Sequence, residues 1–187
     1  MVVILLGKGF EEIETVAPCD ILRRGGLDVR LAGIGGLDMT GSNGITLRAD
    51  CFVEEIDPAE VELLMLPGGL GGVASMEGSQ VAMELISAVY ARGGLVSAIC
   101  AAPTVLAKLG ITDGKRATCY PGMEEQMGSA SMTPAGVVTD GTVCTGRAAG
   151  SALDFGYALL AQLRGEETAQ RVRKAMVYGQ EKEESHV

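Results

Sequence analysis

The chain has 187 residues, which is long enough to bury a substantial core. Apolar residues make up 47% of it and charged residues 21%, a composition that excludes a disordered polymer. Its 24 acidic and 15 basic residues give a net charge of −9, which argues against nucleic acid as the main partner. No apolar run reaches the roughly 18 residues of a membrane span, and no basic leader precedes the first apolar run, so we expect a cytoplasmic protein. We assign residues 1–178 to one domain and residues 179–187 to a flexible tail.

Short apolar runs bounded by glycine recur along the chain and predict β-strands that are covered on both faces. They are VVILLG (2–7), DVRLAGI (28–34), VELLMLPGG (61–69), GLVSAIC (94–100) and VVTDGTVCTG (137–146).

Segments with helical spacing separate these runs. We expect the first helix to begin near Thr15, with Pro18 in its first turn. Further helices are expected from Gly78-Ser79 to Gly93-Gly94 and over 103–109, 151–164 and 167–177. Strands that alternate with helices predict a parallel α/β sheet with helices on both faces.

Open parallel sheets carry their functional residues just beyond the carboxyl ends of the strands. This rule selects four loops, namely Gly7–Glu14, Pro67–Gly72, Cys100–Pro103 and Gly146–Gly150.

Cys100 occupies the most distinctive of these loops, between an apolar strand and a helix. Alanines at 98 and 102 supply the small residues that a nucleophile elbow needs two positions before and after its reactive residue. We expect the following helix N-terminus to lower the pKa of the thiol. The alternative is an inert core cysteine at a strand end.

Two further loops contain candidates for the same site. Gly68-Gly69 follows a buried strand, and the absence of side chains there allows a backbone N–H to approach an oxyanion. The alternative is that the two glycines only form a tight turn. Glu14 is placed at the junction of the first strand and first helix, at the same edge of the sheet as Cys100. Glu11 and Glu12 are interpreted as solvent-exposed acids that pair with the helix dipole.

Metal and cofactor sites are not expected. The five cysteines, at 19, 51, 100, 119 and 144, are widely spaced, and the single histidine is His186 in the tail. A structural zinc site needs clustered ligands, and nucleotide binding needs a glycine-rich motif that is incomplete here. A Cys-His hydrolase would need a histidine close to the sulfur, so a protease is not favoured.

Taken together, these blocks resemble the ThiJ/PfpI superfamily, in particular the branch that contains the parkinsonism-associated protein deglycase and its bacterial relatives. The resemblance runs from VVILLGKGFEEIETVAPCDILRRGGLDV through LLMLPGG, SAICAAPTVLA and TCYP to TGRAAGSALDFG. It implies a flavodoxin-like three-layer sandwich and a homodimer. It also implies a reactive Cys100 bonded to a protonated Glu14, with the backbone N–H groups of Gly69 and Ala101 as oxyanion donors.

Many members of this family have a histidine where the chain has Tyr120, so no imidazole is expected to shuttle protons there. We place Tyr120, Cys119 and Arg147 in the pocket of Cys100. Cys119 is interpreted as a buried apolar residue, and the alternative is a second thiol that pairs with Cys100 or a partner.

The resemblance favours a glutathione-independent glyoxalase or deglycase that acts on reactive α-dicarbonyls or their adducts, with a role in carbonyl and oxidative stress. The alternative is a non-enzymatic stress sensor or chaperone that is switched by oxidation of Cys100. A role in thiamine-related metabolism is a third, weaker interpretation.

Overall fold

The computed structural model describes residues 1–179 and places a seven-stranded sheet between two layers of helices. The strands are β1 (Val2–Leu6), β2 (Val29–Gly33), β3 (Asp38–Thr40), β4 (Thr46–Arg48), β5 (Cys51–Phe52), β6 (Leu63–Leu66), β7 (Leu95–Ile99), β8 (Arg116–Ala117), β9 (Ser131–Met132), β10 (Val137–Asp140) and β11 (Val143–Gly146). The helices are α1 (Glu12–Arg24), α2 (Leu70–Glu77), α3 (Gln80–Ala91), α4 (Pro103–Lys108), α5 (Ala152–Arg164) and α6 (Glu166–Ala175). Apart from Gly179, the predicted tail at 179–187 lies outside the described residues.

The central sheet has the strand order β10-β11-β7-β6-β1-β2-β5. All neighbouring strands are parallel except β10 and β11, which are antiparallel. The predicted α/β sandwich with a mostly parallel sheet is therefore confirmed, and its architecture is flavodoxin-like.

Strand β1 shows why the predicted runs are apolar without alternation. Val2, Ile4 and Leu6 pack in the layer that contains α1, α5 and α6. Val3 and Leu5 pack on the other face, with α2, α3 and α4. All five side chains are fully buried, so each face of the strand contributes to a separate apolar core.

The single strand predicted over 137–146 is wrong. The segment folds back on itself as β10 and β11, and the residues between them form a turn in which Gly141 has φ 60°. Glycine adopts this left-handed conformation without the steric cost of a side chain, which allows the antiparallel pairing of Asp140 with Val143.

The expected start of the first helix near Thr15 is also wrong. Helix α1 begins at Glu12, and the carboxylate of Glu11 caps it by accepting a hydrogen bond from the N–H of Glu14 at 2.7 Å. Pro18 consequently lies inside the helix rather than in its first turn. Because the cap at Glu11 starts the helix earlier, a further turn of helix precedes Pro18. The cost is one helical hydrogen bond, since proline has no backbone N–H to donate.

Glu12 is buried, with 5% of its surface exposed, which contradicts its interpretation as a solvated acid. Its carboxylate accepts hydrogen bonds from the backbone N–H of Asn43 at 2.7 Å and from the Asn43 side chain at 2.9 Å. The N–H of Ile45 and the hydroxyl of Ser42 donate longer bonds of 3.3 Å to it. The buried carboxylate therefore holds the connection between β3 and β4, a hairpin that the sequence did not predict.

We expect Glu12→Gln to lower the free energy of unfolding by about 1–3 kcal/mol, because an amide donor would replace one of the acceptor atoms that face the N–H groups of the hairpin. Urea unfolding of both proteins measures this difference. Glu167→Gln, an exposed residue in the first turn of α6, is the matched control and should change stability little. Equal losses in the two variants would contradict the clamping role of Glu12.

Candidate active site at the carboxyl ends of the central strands

Cys100 forms the turn between β7 and α4 in a left-handed backbone conformation, with φ 66°. A residue with a side chain rarely adopts this conformation, and the surrounding structure must maintain it. The N–H of Cys100 donates to the carbonyl of Gly146 at 2.9 Å, and its carbonyl accepts from the N–H of Tyr120 at 2.7 Å. Ala98 and Ala102 are fully buried on either side. The cysteine thus has the geometry of a nucleophile elbow.

Gly68 gives the site the space it needs. A Cβ atom at this position would lie 2.7 Å from Cβ of Cys100 and still closer to Oε2 of Glu14. The N–H of Gly68 instead donates to Oε2 of Glu14 at 2.9 Å. The neighbouring Gly69 has φ 84° and is the N-cap of α2, a helix that the sequence analysis did not identify. Gly68 thus lets the carboxyl and the thiol come together, whereas Gly69 lets α2 begin close to the backbone of Gly9 and Phe10.

Glu14 projects from the first turn of α1 and is only 1% exposed. Burial raises its pKa from 4.5 to about 7, against the opposing effect of its contact with Cys100. The negative charge of Glu11 raises the pKa further, whereas the N–H groups of Gly68 and Ala149 lower it. A carboxyl with this pKa exchanges its proton near neutral pH.

The thiol of Cys100 is harder to ionise than the sequence analysis expected. Burial raises its pKa to about 12, and the negative charge of Glu14 acts in the same direction. The N–H groups of Ala101 and Gly69 face the sulfur and lower the pKa, but they do not outweigh those two effects. The expectation that the helix N-terminus favours thiolate in the resting site is therefore wrong.

Glu14 and Cys100 titrate as a coupled pair, because the negative charge of Glu14 raises the pKa of the thiol, whereas the hydrogen bond with Cys100 lowers the pKa of the carboxyl. Near neutral pH, the pair therefore keeps at least one proton. When only one proton is present, it lies either on the sulfur or on the carboxyl. Proton transfer between the two groups thus needs no third residue.

A pocket of about 500 Å³ opens over the sulfur of Cys100. Its walls come from the loops that follow β1, β6 and β7 and from the loop after β8. The lining residues are Glu11, Gly69, Leu70, Cys100, Ala101, Tyr120, Pro121, Gly122 and Met123. The described loops therefore bring together Cys100, Gly69, Ala101 and Tyr120 from the predicted site, with Glu14 directly beneath them.

Cys119 and Arg147 line a second cavity of about 230 Å³ instead, together with Glu124, Met132, Thr133 and Pro134. Cys119 is 2% exposed, and burial raises the pKa of its thiol to about 11. The guanidinium of Arg147 donates to the carbonyl of Pro134 at 2.6 Å. Of the three pocket residues expected beside Cys100, only Tyr120 lines its pocket.

Within residues 1–179, no three His, Cys, Asp or Glu side chains are grouped as a metal site would require. The one histidine of the chain, His186, lies outside these residues. In the same part of the chain, no helix is both long and apolar enough to cross a bilayer.

Sequence reasoning missed Glu11, Leu70 and Met123 as parts of the pocket. Glu11 had a usable signal, since it immediately precedes the acidic first turn of a helix and is therefore a candidate cap. Leu70, which begins α2, and Met123, which is half-buried in the loop after β8, had none, because a single apolar residue at such a position resembles many others in the sequence.

Comparison with known proteins identifies the family. Residues 1–162 match the DJ-1/PfpI family. The chain is 36% identical over 177 residues to Protein dj-1beta of Drosophila melanogaster, which covers 93% of this chain and 95% of that protein. It is 32% identical over 151 residues to a Pyrococcus abyssi protein named as a deglycase, which covers 80% and 90% of the two chains.

The fold comparison agrees with the sequence comparison. The crystal structure of Drosophila melanogaster DJ-1beta has a TM-score of 0.90 at 35% identity, with 96% of this chain and 98% of that chain covered. These matches confirm the resemblance drawn from the sequence blocks, and the chain belongs to the DJ-1/PfpI family.

Proposed function

We propose that the chain is a cysteine-dependent, glutathione-independent glyoxalase or deglycase that acts on small reactive α-dicarbonyls or their adducts. The observation that carries the proposal is the contact between Cys100 and Glu14 under an open pocket, where a nucleophile touches a carboxyl with a pKa of about 7. General acid–base catalysis is most effective when the pKa of the group is close to the working pH. The sequence similarity between this chain and a protein named as a deglycase supports the same chemistry.

The first step is the addition of Cys100 to the aldehyde carbon of the substrate. The ionised carboxylate of Glu14 accepts the thiol proton as sulfur bonds to carbon, which avoids a free thiolate in the resting site. The π electrons of the carbonyl move to its oxygen, which the N–H groups of Gly69 and Ala101 stabilise. Return of the proton to this oxygen gives a hemithioacetal.

The second step is an internal oxidation and reduction of the two substrate carbons. Glu14 removes the proton from the carbon bonded to sulfur and delivers it to the adjacent carbon, while the proton of the hemithioacetal hydroxyl passes to the oxygen of the second carbonyl. The first carbon is thereby oxidised to a thioester and the second is reduced to an alcohol. Water then hydrolyses the thioester. The products are a 2-hydroxy acid and the free thiol, and no external oxidant is needed.

Tyr120 does not take part as a base in this scheme. Its side chain is 49% exposed at the pocket, and a phenol is a weak base near neutral pH. The proton transfers are therefore assigned to Glu14 alone. Proteolysis, which needs a group to protonate an amine leaving group, is not part of the proposal.

An oxidation-controlled sensor or chaperone is the second candidate, and the environment of the sulfur favours it specifically. The N–H groups of Gly69 and Ala101 face the sulfur, and protonated Glu14 adds a third donor. These three donors would stabilise the oxygens of a sulfinate on Cys100. A change in partner binding after peroxide treatment would be the function of such a site.

We also propose a homodimer in a reducing compartment such as the cytoplasm, where the five unpaired cysteines would remain thiols. Ile21 of α1 is fully buried under α5 and therefore cannot contribute to an apolar dimer face. Ile13 and Val16 of α1 are 56% and 46% exposed, and they support an apolar contact on this helix.

Turnover tests the enzyme against the sensor. We expect conversion of methylglyoxal to lactate without glutathione, complete loss in Cys100→Ser, and a decrease of about 10²-fold or more in Glu14→Gln, which cannot transfer the proton. Detection of lactate by NMR measures this, with Cys51→Ser as the control because that thiol is also half-buried but remote from the pocket. Negligible turnover together with a peroxide-dependent change in binding would favour the sensor instead.

The raised pKa of Glu14 predicts a pH-dependent cost in stability. The pKa of Glu14 is about 7 in the folded protein and 4.5 ordinarily, so the folded state holds this proton more tightly than the unfolded chain does. The resulting contribution to the free energy of unfolding is fully present below pH 4.5 and is lost as the pH rises through 7. Between about pH 4 and pH 8, the wild type should lose about 3 kcal/mol of unfolding free energy relative to Glu14→Gln, measured by urea unfolding. Parallel pH profiles for the two proteins would show that Glu14 ionises normally.

The dimer predicts a particle of twice the 19.3 kDa chain mass in light scattering. Val16→Asp places a charge on the exposed surface of α1 and should shift the mass toward the monomer, because an unpaired charge is costly in an apolar contact. Asp20→Asn on the same helix is a control. A monomeric wild type at all concentrations would contradict the proposal.

A further inference from the structure

The pocket over Cys100 has an uneven distribution of charge. Leu70, Pro121 and Met123 give it apolar walls, and backbone groups form much of the rest. Within residues 1–179, Glu11 is the one side chain that brings a carboxylate to this lining, and no lysine or arginine lines it. A ligand that enters the pocket therefore meets a negative charge without a compensating cation.

The carboxylate of Glu11 is held in place at this position. Its Oε2 accepts the hydrogen bond from the N–H of Glu14 that caps α1. Its backbone N–H donates to the carbonyl of Gly68 at 2.9 Å, and its carbonyl accepts from the hydroxyl of Thr15 at 2.8 Å. These bonds prevent the charge from turning away into solvent.

Capping alone does not require this negative charge. A neutral amide oxygen can also accept a hydrogen bond from a helix N–H, and asparagine is among the preferred capping residues. The fixed carboxylate at the pocket therefore points to a second role that concerns the ligand.

The geometry points to Glu11 as the residue that sets the charge selectivity of this pocket, by admitting neutral or cationic carbonyl compounds and excluding carboxylates. A second part of the inference rests on the proposed function: the substrate enters uncharged and leaves as a 2-hydroxy acid anion, so the same carboxylate expels the product. The charge of Glu11 also raises the pKa of Glu14, which shows that it acts across the site.

Alkylation of Cys100 tests the selectivity without any turnover. Iodoacetamide and iodoacetate both form a thioether as the sulfur displaces iodide, and they differ in charge. Peptide mass spectrometry measures both rates at Cys100. In Glu11→Gln, which keeps an oxygen for the cap, the preference for the neutral reagent should fall by roughly ten-fold, the order expected for one nearby charge.

Two further variants separate charge from structure. Glu11→Asp keeps the carboxylate and should retain most of the preference for iodoacetamide. Glu60→Gln removes an exposed charge before β6, at the opposite end of the sheet, and should leave the preference unchanged. An unchanged preference in Glu11→Gln, or an equal loss in Glu60→Gln, would overturn the inference whether or not the protein turns over dicarbonyls.

Product inhibition tests the second part. Lactate should inhibit methylglyoxal turnover by Glu11→Gln at roughly ten-fold lower concentration than it inhibits the wild type. Equal inhibition of both proteins would overturn product expulsion. Absence of turnover in the wild type would instead count against the proposed function, while the alkylation rates would still decide the role of Glu11.

Discussion

The close approach of a carboxyl and a thiol through the space left by Gly68 is the central constraint on this molecule. Glu14 and Cys100 come from the ends of two different strand–helix units, and a single methyl group at residue 68 would separate them. Their positions are in turn fixed by hydrogen bonds with the backbone N–H groups of Gly68 and Tyr120 and with the carbonyl of Gly146. The site is therefore assembled from main-chain geometry, and few side chains hold it.

The electrostatics of the site follow from this approach. Burial makes the carboxyl of Glu14 hold its proton to a higher pH than usual, although its contact with Cys100 lowers its pKa. Burial and the negative charge of Glu14 together raise the pKa of the Cys100 thiol. In the proposed mechanism, the cysteine becomes a nucleophile by proton transfer to this carboxyl at the moment of reaction. A chain without an imidazole in the described part of the site can perform acid–base chemistry in this way.

The sequence predicted structure correctly where a pattern of neighbouring residues determines it. Uninterrupted apolar runs identified the buried strands, Ser79 marked the start of α3, and flanking alanines identified the turn at Cys100. Pattern reasoning failed where a long-range contact decides the outcome. The burial of Glu12 depends on hydrogen bonds to Asn43, which is distant in the sequence and has no local signal.

The candidate site shows the same division. The strand-end rule identified residues 14, 69 and 100 as neighbours, because each follows a strand end in a parallel sheet, and the family resemblance added Ala101 as a backbone donor. The high pKa of the thiol could not be predicted, since it depends on burial and on the exact distance to a second acid. The separation of Arg147 into the neighbouring cavity depends on the path of the loop after β8, which the sequence pattern did not fix.

The parallel order of the sheet has a consequence for how the protein folds. Strand β1 pairs with β2 on one side and with β6 on the other, and the bond between Gly68 and Glu14 spans 54 residues of chain. Such long loops must close before their contacts can form, which slows folding relative to a fold with local contacts. The left-handed backbone of Cys100 gains its bond to the carbonyl of Gly146 only after β7 and β11 have paired. A partly folded chain in which β7 and β11 are still apart therefore lacks the bond to Gly146 that supports the left-handed turn, so the conformation of Cys100 depends on contacts distant in the sequence.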